Sequence, residues 1–356
     1  MTSDKSPLDT DSIPQTSDIR PSIRDVAKLA KVGLGTVSRV MNNHPNVSED
    51  KRQKVEAAIR ELKYVPDIVA QSLRNRRSKT FACVMRDFTV PVLSMFVDSM
   101  QKEIDAFGFS LMVASSYHDV RREMQLLSGM QQRRVDGLVI ATSSEEDPAL
   151  LQALREMPMP IVLLDRHTPI ELDSVGVNHS TGIRQAVLHL AELGHRRIAL
   201  ISGETAVRAT TNRVEGYRSA LVESGIAEDS TLIRSASFDR HAGYVEARSL
   251  LLLKDRPTAI IAGGTSLLPG VVQAARELGL SIPHDLSVIA GADSDVAMLA
   301  TPAYTVVRWS HDELGKAAGR FLIERLSNPT LAPQRLLVDA ELIHRGSCAP
   351  PSKKTV

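Results

Sequence analysis

The sequence predicts an α/β chain carrying a small all-α headpiece at its N-terminus, the headpiece built as a helix-turn-helix. Three observations predict it. Residues 22–42 place apolar positions at helical spacing on both sides of a glycine-containing break. Positive charge gathers around them: Arg20 to Lys79 hold fourteen Lys/Arg against six Asp/Glu, net +8, while the whole chain is only +1. Everything else must therefore be net negative. From Thr80 onward the texture changes to short apolar runs alternating with longer amphipathic ones. Buried strands joined by crossover helices imply parallel sheets covered on both faces.

A length of 356 residues suggests two or three domains. With 43% hydrophobic and 24% charged residues the chain can bury a sizeable core. Cys83 and Cys348 stand far apart, offer neither a disulfide framework nor metal-ligand spacing, and read as structural filler. Residues 1–20 are rich in Ser, Thr, Asp and Pro and are expected to be a disordered leader. They lack the basic start and apolar run of a secretory signal, so a cytoplasmic location is expected. No apolar run reaches membrane-spanning length.

The headpiece is expected over 21–66. Ser22 precedes Ile23, Val26, Ala27 and Ala30, with Asp25 three residues on, a capping-box start for a short amphipathic helix. The break Val32-Gly33-Leu34-Gly35 follows, then a second helix from Thr36 to Asn42. Val37, Val40 and Met41 can face inward there while Ser38, Arg39 and Asn42 face out. The second helix of such a pair enters the DNA major groove. Short helix pairs also occur in other all-α domains; the local +8 favours phosphate contact and salt-sensitive binding. Ser48, Glu49 and Asp50 suit the positive end of a third helix, which Val55, Ala58, Ile59 and Leu62 continue and Pro66 ends. Asp67 to Arg74 reads as one more short helix, leading through a polar run to Lys79, so 67–79 forms a linker.

Beyond it, strands are expected at Phe81–Met85, Ser110–Ala114, Gly137–Ile140, Ile161–Leu164, Arg197–Ile201, Ala259–Ala262 and Ser287–Ala290. Helices are expected at Leu93–Phe107, Glu123–Arg133, Gly182–Leu193, Arg213–Ser224, Ala242–Leu253 and Leu268–Leu278. That is too much for one flavodoxin-like lobe, so two are expected, with a ligand at the carboxyl ends of the strands between them.

Gly33 and Gly35 resemble half of a dinucleotide fingerprint but follow a helix and lack the third glycine; Gly263 to Gly270 lacks the Lys-Ser/Thr of a phosphate loop. Histidines 189, 195, 241 and 311 show no metal pattern, and His195-Arg196-Arg197 reads as a solvated turn. Neither a nucleophile elbow nor a pair of catalytic carboxylates stands out. No catalytic residue, metal or cofactor is therefore expected. A plain solute-binding receptor does not account for the basic headpiece, and an enzyme fused to a DNA-binding module would need catalytic groups the sequence does not display.

Asp25-Val26-Ala27, Thr36-Val37-Ser38-Arg39-Val40, Asn42, Tyr64-Val65-Pro66, Ala70, Leu73, Leu164-Asp165-Arg166, Gly194-His195-Arg196-Arg197-Ile198 and Arg213-Val214-Glu215-Gly216-Tyr217 occur in an ordered series. Over Ser22 to about Arg345 the chain thereby resembles the lactose repressor (LacI/GalR) family of bacterial transcription regulators. The resemblance implies a hinge helix within 67–79, a two-lobed periplasmic-binding-protein-like core over 80–345 and a polar tail over 346–356. It also implies a homodimer or higher homo-oligomer on a roughly palindromic operator in double-stranded DNA. A small-molecule effector, a sugar or similar metabolite, would control a regulator that acts as a repressor, without a membrane partner.

It further implies roles. Leu34 and Gly35 take the positions that discriminate operators; Leu34 can touch a thymine methyl, whereas Gly35 has no side chain to read a base edge. Arg39 suits a bidentate guanine contact, worth about 1–3 kcal/mol, or a phosphate contact. Ser22, Arg24, Thr36, Ser38, Asn42 and Asn46 suit backbone positioning. Ala70 and Leu73 lie on the hinge helix; Leu73 either wedges between base steps or packs on the core. Asp67 stands where the family commonly has an amide and reads as a helix cap. Asp165, Arg213, Phe238 and Trp309 match effector positions, Phe238 by stacking. Two positions depart from the pattern: Gly264-Thr265 replaces Asn-Asp and Ala292-Asp293 replaces Asp-Asp. A register shift of one would give Asp293 the first Asp's role. Each of these effector residues has an equally available structural reading.

Overall fold

A computed structural model describes residues 21–41, 44–65, 77–87, 91–204 and 207–352. The expected leader and most of the linker, with the hinge helix, lie outside the described residues. The chain divides into two units, one ending at Arg76 and the other beginning at Arg77.

In the first unit, α1 spans Ile23–Leu29, α2 Leu34–Met41 and α3 Glu49–Glu61. The Asp25 carboxylate accepts from the Ser22 backbone N–H at 2.8 Å and from its hydroxyl at 2.7 Å, the reach-back that the spacing predicts. The Gly33 carbonyl accepts from the N–H groups of Thr36 and Val37, so α2 starts within the glycine break and not after it. Val26, Ala27, Ala30, Val37, Val40, Val55 and Ala58 form the core of the three helices. Lys31, at φ 51°, turns the chain between α1 and α2.

The second unit has two lobes. The chain first lays down β1 Thr80–Met85, α4 Pro91–Asp105, β2 Ser110–Ser115, α5 Val120–Gln132, β3 Gly137–Ile140, α6 Pro148–Glu156, β4 Ile161–Leu164 and β5 Asp173–Asn178. It crosses to build α7 His179–Glu192, β6 Ile198–Ser202, α8 Arg208–Glu223, β7 Ile233–Ser235, α9 Arg240–Leu251, β8 Ala259–Ala262, α10 Leu268–Glu277, β9 Ser287–Ala290, α11 Asp295–Leu299 and β10 Thr305–Arg308. α12 His311–Ser327 and β11 Arg335–Asp339 return to the first lobe, and β12 Glu341–Ile343 ends in the second. The sheets run β11-β5-β4-β3-β1-β2 and β12-β10-β9-β8-β6-β7. All pairings are parallel except β10 with β12. The central strands β3, β4, β8 and β9 are buried at every residue, as expected for a sheet covered on both faces. β5, β7 and β10–β12 were not foreseen. β5 alternates buried with half-buried residues, and β7, β11 and β12 are partly exposed edges. Their apolar runs are short or interrupted, and pairing partners complete the assignment.

Two expectations fail. His195 is 1% exposed and not a solvated turn residue. Its ring meets Thr258 Oγ1 at 2.7 Å, Ser287 Oγ at 3.0 Å and the Ala349 carbonyl at 2.9 Å. The expected polar tail from 346 accordingly begins inside the core. Ser347 is fully buried, accepts from the Thr305 N–H with its hydroxyl and from the Val288 N–H with its carbonyl. Small polar residues are as well placed to satisfy a strand's backbone as to face water, and composition does not distinguish the two.

Candidate functional site

On the headpiece, Ser22, Arg24, Leu34, Gly35, Arg39 and Asn46 are exposed, and Thr36 and Ser38 half-buried. Leu34 is 45% exposed although its helix neighbours Val37 and Val40 are core residues. An apolar side chain held out at the start of a helix is available for contact. Arg39 Nε donates to the Gly35 carbonyl at 3.1 Å, which lays the guanidinium along the side of α2 left vacant by Gly35. Asn42, Ala70 and Leu73 lie outside the described residues.

In the core, the polar groups collect at the carboxyl ends of the parallel strands, where the fold places ligands. Asp165 follows β4 with φ 50°, a conformation rare for a side chain other than Asn or Asp. Its Oδ2 lies 2.9 Å from Nε2 of His179, the first residue of α7, and its Oδ1 accepts from the Val177 N–H. Arg213, in the second turn of α8, places Nη2 3.2 Å from His179 Nδ1. One proton assignment satisfies both contacts: Nδ1 accepts from Arg213 and Nε2–H donates to Asp165. The imidazole is then neutral. Burial, and next the Arg213 charge, hold His179 below the ordinary histidine value. Burial alone would raise Asp165, but His179, Arg166 and Arg213 outweigh it and keep the carboxyl well below the carboxylate range. The relay Asp165–His179–Arg213 runs from the first lobe, through the first crossing, into the second.

Glu145, after β3, makes a second link. It accepts from the His167 N–H at 3.2 Å in its own lobe and from the Arg208 N–H at 3.0 Å, the first residue of α8, in the other. A carboxylate at a helix N-terminus is electrostatically favourable.

Phe238 fills the space against the second lobe. A Cβ on Gly203 would lie 1.8 Å from the Phe238 ring and one on Gly264 2.6 Å, so only glycines at the ends of β6 and β8 admit the ring. The Arg213 guanidinium lies 5.4 Å from the ring centroid and that of Arg86, from the end of β1 in the first lobe, 5.5 Å. Burial, then the charge of Arg166, lowers Arg86 to about 9. Trp309, on the second crossing, stands edge-on to His179 at 5.3 Å.

The structure thus assembles Asp165, Arg213, Phe238 and Trp309. Thr265 is half-buried in the turn beyond β8, next to Gly264. Asp293 is elsewhere engaged: Arg345 binds its two carboxylate oxygens at 3.0 and 2.9 Å. The expectation of a free carboxylate for a ligand is corrected, because a guanidinium from the last segment, invisible in local sequence, occupies both oxygens. Arg86, Glu145, Arg166 and His179 were missed as site residues. Arg166 lies inside a recognised motif, whereas Glu145 sits in a Ser-Ser-Glu-Glu-Asp run that reads as a solvated loop.

Comparison with known proteins agrees with this architecture. Residues 22–67 match the family described as "Bacterial regulatory proteins, lacI family", and residues 187–348 a "Periplasmic binding protein-like domain". The chain is 32% identical over 335 residues to the HTH-type transcriptional regulator DegA of Bacillus subtilis, covering 93% of this chain and 99% of DegA. It is 34% identical over 328 residues to the ribose operon repressor of Escherichia coli K12, covering 92% and 99%. Among solved structures, the lac repressor dimer bound to operator and the anti-inducer ONPF superposes with a TM-score of 0.82 at 27% identity, covering 92% and 99%. The transcriptional regulator CelR–cellobiose complex gives 0.70 at 32% identity, covering 92% and 100%. A basic three-helix headpiece, two parallel-sheet lobes crossed three times by the chain, and relatives matched from end to end lead to one assignment: this chain belongs to the LacI family of bacterial regulatory proteins.

Proposed function

We propose that the protein is a sequence-specific DNA-binding transcription regulator, acting as a repressor, whose hold on its operator is set by a small metabolite bound between the core lobes. The observation that carries this reading is the exposed face of α2, with Leu34 and Arg39 outward on a segment of net charge +8. Arg39 would read a base edge and Leu34 a thymine methyl, while Ser22, Arg24, Thr36, Ser38, Asn42 and Asn46 position the phosphates. In the hinge segment, Ala70 and Leu73 would enter the minor groove, with Leu73 as the wedge. Relatives named for ribose or solved with cellobiose support a sugar or similar metabolite here, and the operator-bound lac repressor dimer supports a homodimer on a roughly palindromic site.

The cleft would transmit the signal through its two interlobe links. A ligand that binds one lobe arrangement better than the other shifts their populations by that difference and no more. Asp165, Arg213, Phe238, Trp309 and Thr265 would contact it. The protein would have no enzymatic activity, and it would work in the cytoplasm, where its DNA is. No helix among the described residues is long and apolar enough to cross a membrane.

Selection of genomic fragments on the purified protein at physiological ionic strength tests the reading. A few sites of approximate twofold symmetry should be enriched, with affinity falling steeply as salt rises. Absence of preference over bulk competitor DNA, with sugars, sugar acids, nucleosides and purines each supplied, would refute it.

A further inference from the structure

The cleft holds more hydrogen-bond donors than acceptors. Each Asp165 oxygen already accepts one hydrogen bond, from His179 and from the Val177 N–H, and each Glu145 oxygen one from a backbone N–H. Glu123 Oε2 accepts from the Ser143 N–H, which leaves Oε1 as the one buried carboxylate oxygen here without a partner among the described residues. Against these stand fully buried groups without a partner among the described residues: the donor-only Arg166 Nη2 and Arg213 Nε, and the hydroxyls of Thr142, Ser202 and Thr210, which can donate or accept. Arg166 is 8% exposed and Arg213 6%. All of them belong to residues at the ends of β3, β4 and β6 or in the first two turns of α8.

Arg86 adds a third guanidinium. Among the described residues its side chain has the Phe238 ring as a neighbour, and neither an ion pair nor a hydrogen bond. The carboxylates that attract it, Asp165 and Glu204, act from a distance, and Arg166 and Arg213 repel it. Unpaired buried donors cost about 1–3 kcal/mol each and unpaired charge more, so a site retains them where a ligand supplies the acceptor. A neutral polyol brings hydroxyls that need acceptors as well as donors. An oxyanion brings acceptors alone, in the geometry that guanidinium forks match. Since Arg86 comes from one lobe and Arg213 from the other, an anion between them would also relieve their repulsion when the lobes close.

We infer that the ligand of this cleft carries an oxyanion, a carboxylate or a phosphate ester on a small polyhydroxy body, and that Arg86 selects it. The inference rests on the regulatory reading above and specifies its ligand. Binding to the full-length protein is measured by thermal shift and calorimetry at constant ionic strength in chloride. The probes are the pairs glucose and gluconate, ribose and ribose 5-phosphate, with inorganic phosphate as a fragment. The gluconate and ribose 5-phosphate arms distinguish a carboxylate from a phosphate. At least one anion should bind saturably while its neutral counterpart binds at least about tenfold more weakly, the scale of one charged hydrogen bond. Arg86→Met should lose that margin, Arg86→Lys recover part of it, and Arg320→Met, an exposed arginine on α12, change nothing. A neutral sugar binding as tightly as its anion, an anion affinity unaltered in Arg86→Met, or no response to any anion would overturn the inference. Operator retention measured with the same probes separates the two readings. Anion binding without effect on the operator sinks the regulatory reading alone. Operator release by a neutral sugar, with no anion binding, sinks this inference alone.

Discussion

His179 illustrates how much one side chain can decide. It is 2% exposed, lies between a guanidinium and a carboxylate, and can serve both only as the neutral Nε2–H tautomer. A protonated ring would have no acceptor for Arg213. Arg213 in turn touches His179, the Ala209 carbonyl and the face of Phe238. Replacing it with Ala should abolish ligand-induced thermal stabilisation in the same calorimetric assay; a shift of unchanged size would remove Arg213 from the ligand site. Arg39 belongs to the other unit, and its substitution tests a different claim. Arg39→Ala should cost about 1–3 kcal/mol of specific operator affinity, with little loss on random DNA. Equal losses on both would reduce Arg39 to a phosphate contact. In the sequence Arg39 and Arg213 are legible through motif position. Arg86, Glu145 and His179 are not, because their neighbours are supplied by other segments of the chain.

Elements carry the next level of argument. α7 and α8 approach so closely that a Cβ on Gly216 would lie 2.2 Å from the Ser180 carbonyl oxygen. Backbone cannot move aside as a flexible side chain does. Gly216→Ala should therefore separate the helices and destabilise the core by about 1–3 kcal/mol, read as a lower urea midpoint at unchanged slope. Since α8 also presents Arg213 and the Arg208 N–H, the same variant should weaken ligand response. A stability equal to that of the parent would show that the helices have slack. Apolar periodicity exposed most helices and every central strand, several to the residue. α12 escaped that reading although it covers the first sheet: its small residues Gly315, Ala317, Ala318 and Gly319 give a weak apolar stripe, yet all are buried, with Gly315 and Gly319 against α4. Small residues signal close packing only once the partner helix is known.

For the whole molecule, electrostatics set the response to pH. His118, His179, His189, His195 and His311 all lie below the ordinary histidine value, burial being the first cause in each. The unfolded chain binds those protons near about pH 6.5, the folded chain only at lower pH. Stability from these groups is thus complete above about 6.5 and is lost as pH falls through it. Asp165, held low, contributes a further loss only below the ordinary carboxylate range, near about pH 4. Thermal midpoints should drop between about pH 7.5 and 5.5, before the carboxylates titrate. A flat profile across that interval would mean that the histidines are hydrated in the folded protein.

By itself, the sequence determined the plan: a cationic three-helix headpiece, alternating strands and helices beyond Thr80, and a ligand cleft at the carboxyl ends of the strands. Those properties are local, being carried by spacing, capping and charge within one segment. Only tertiary structure decided which polar residues share the cleft, that Asp293 belongs to Arg345, that His195 and Ser347 are interior, and that Arg86 faces Arg213 across the lobes. The last three of those outcomes depend on segments more than 40 residues apart meeting at one place. A carboxylate or imidazole looks the same in the sequence whether its partner is water or a buried guanidinium; the fold supplies the partner, and with it the chemistry.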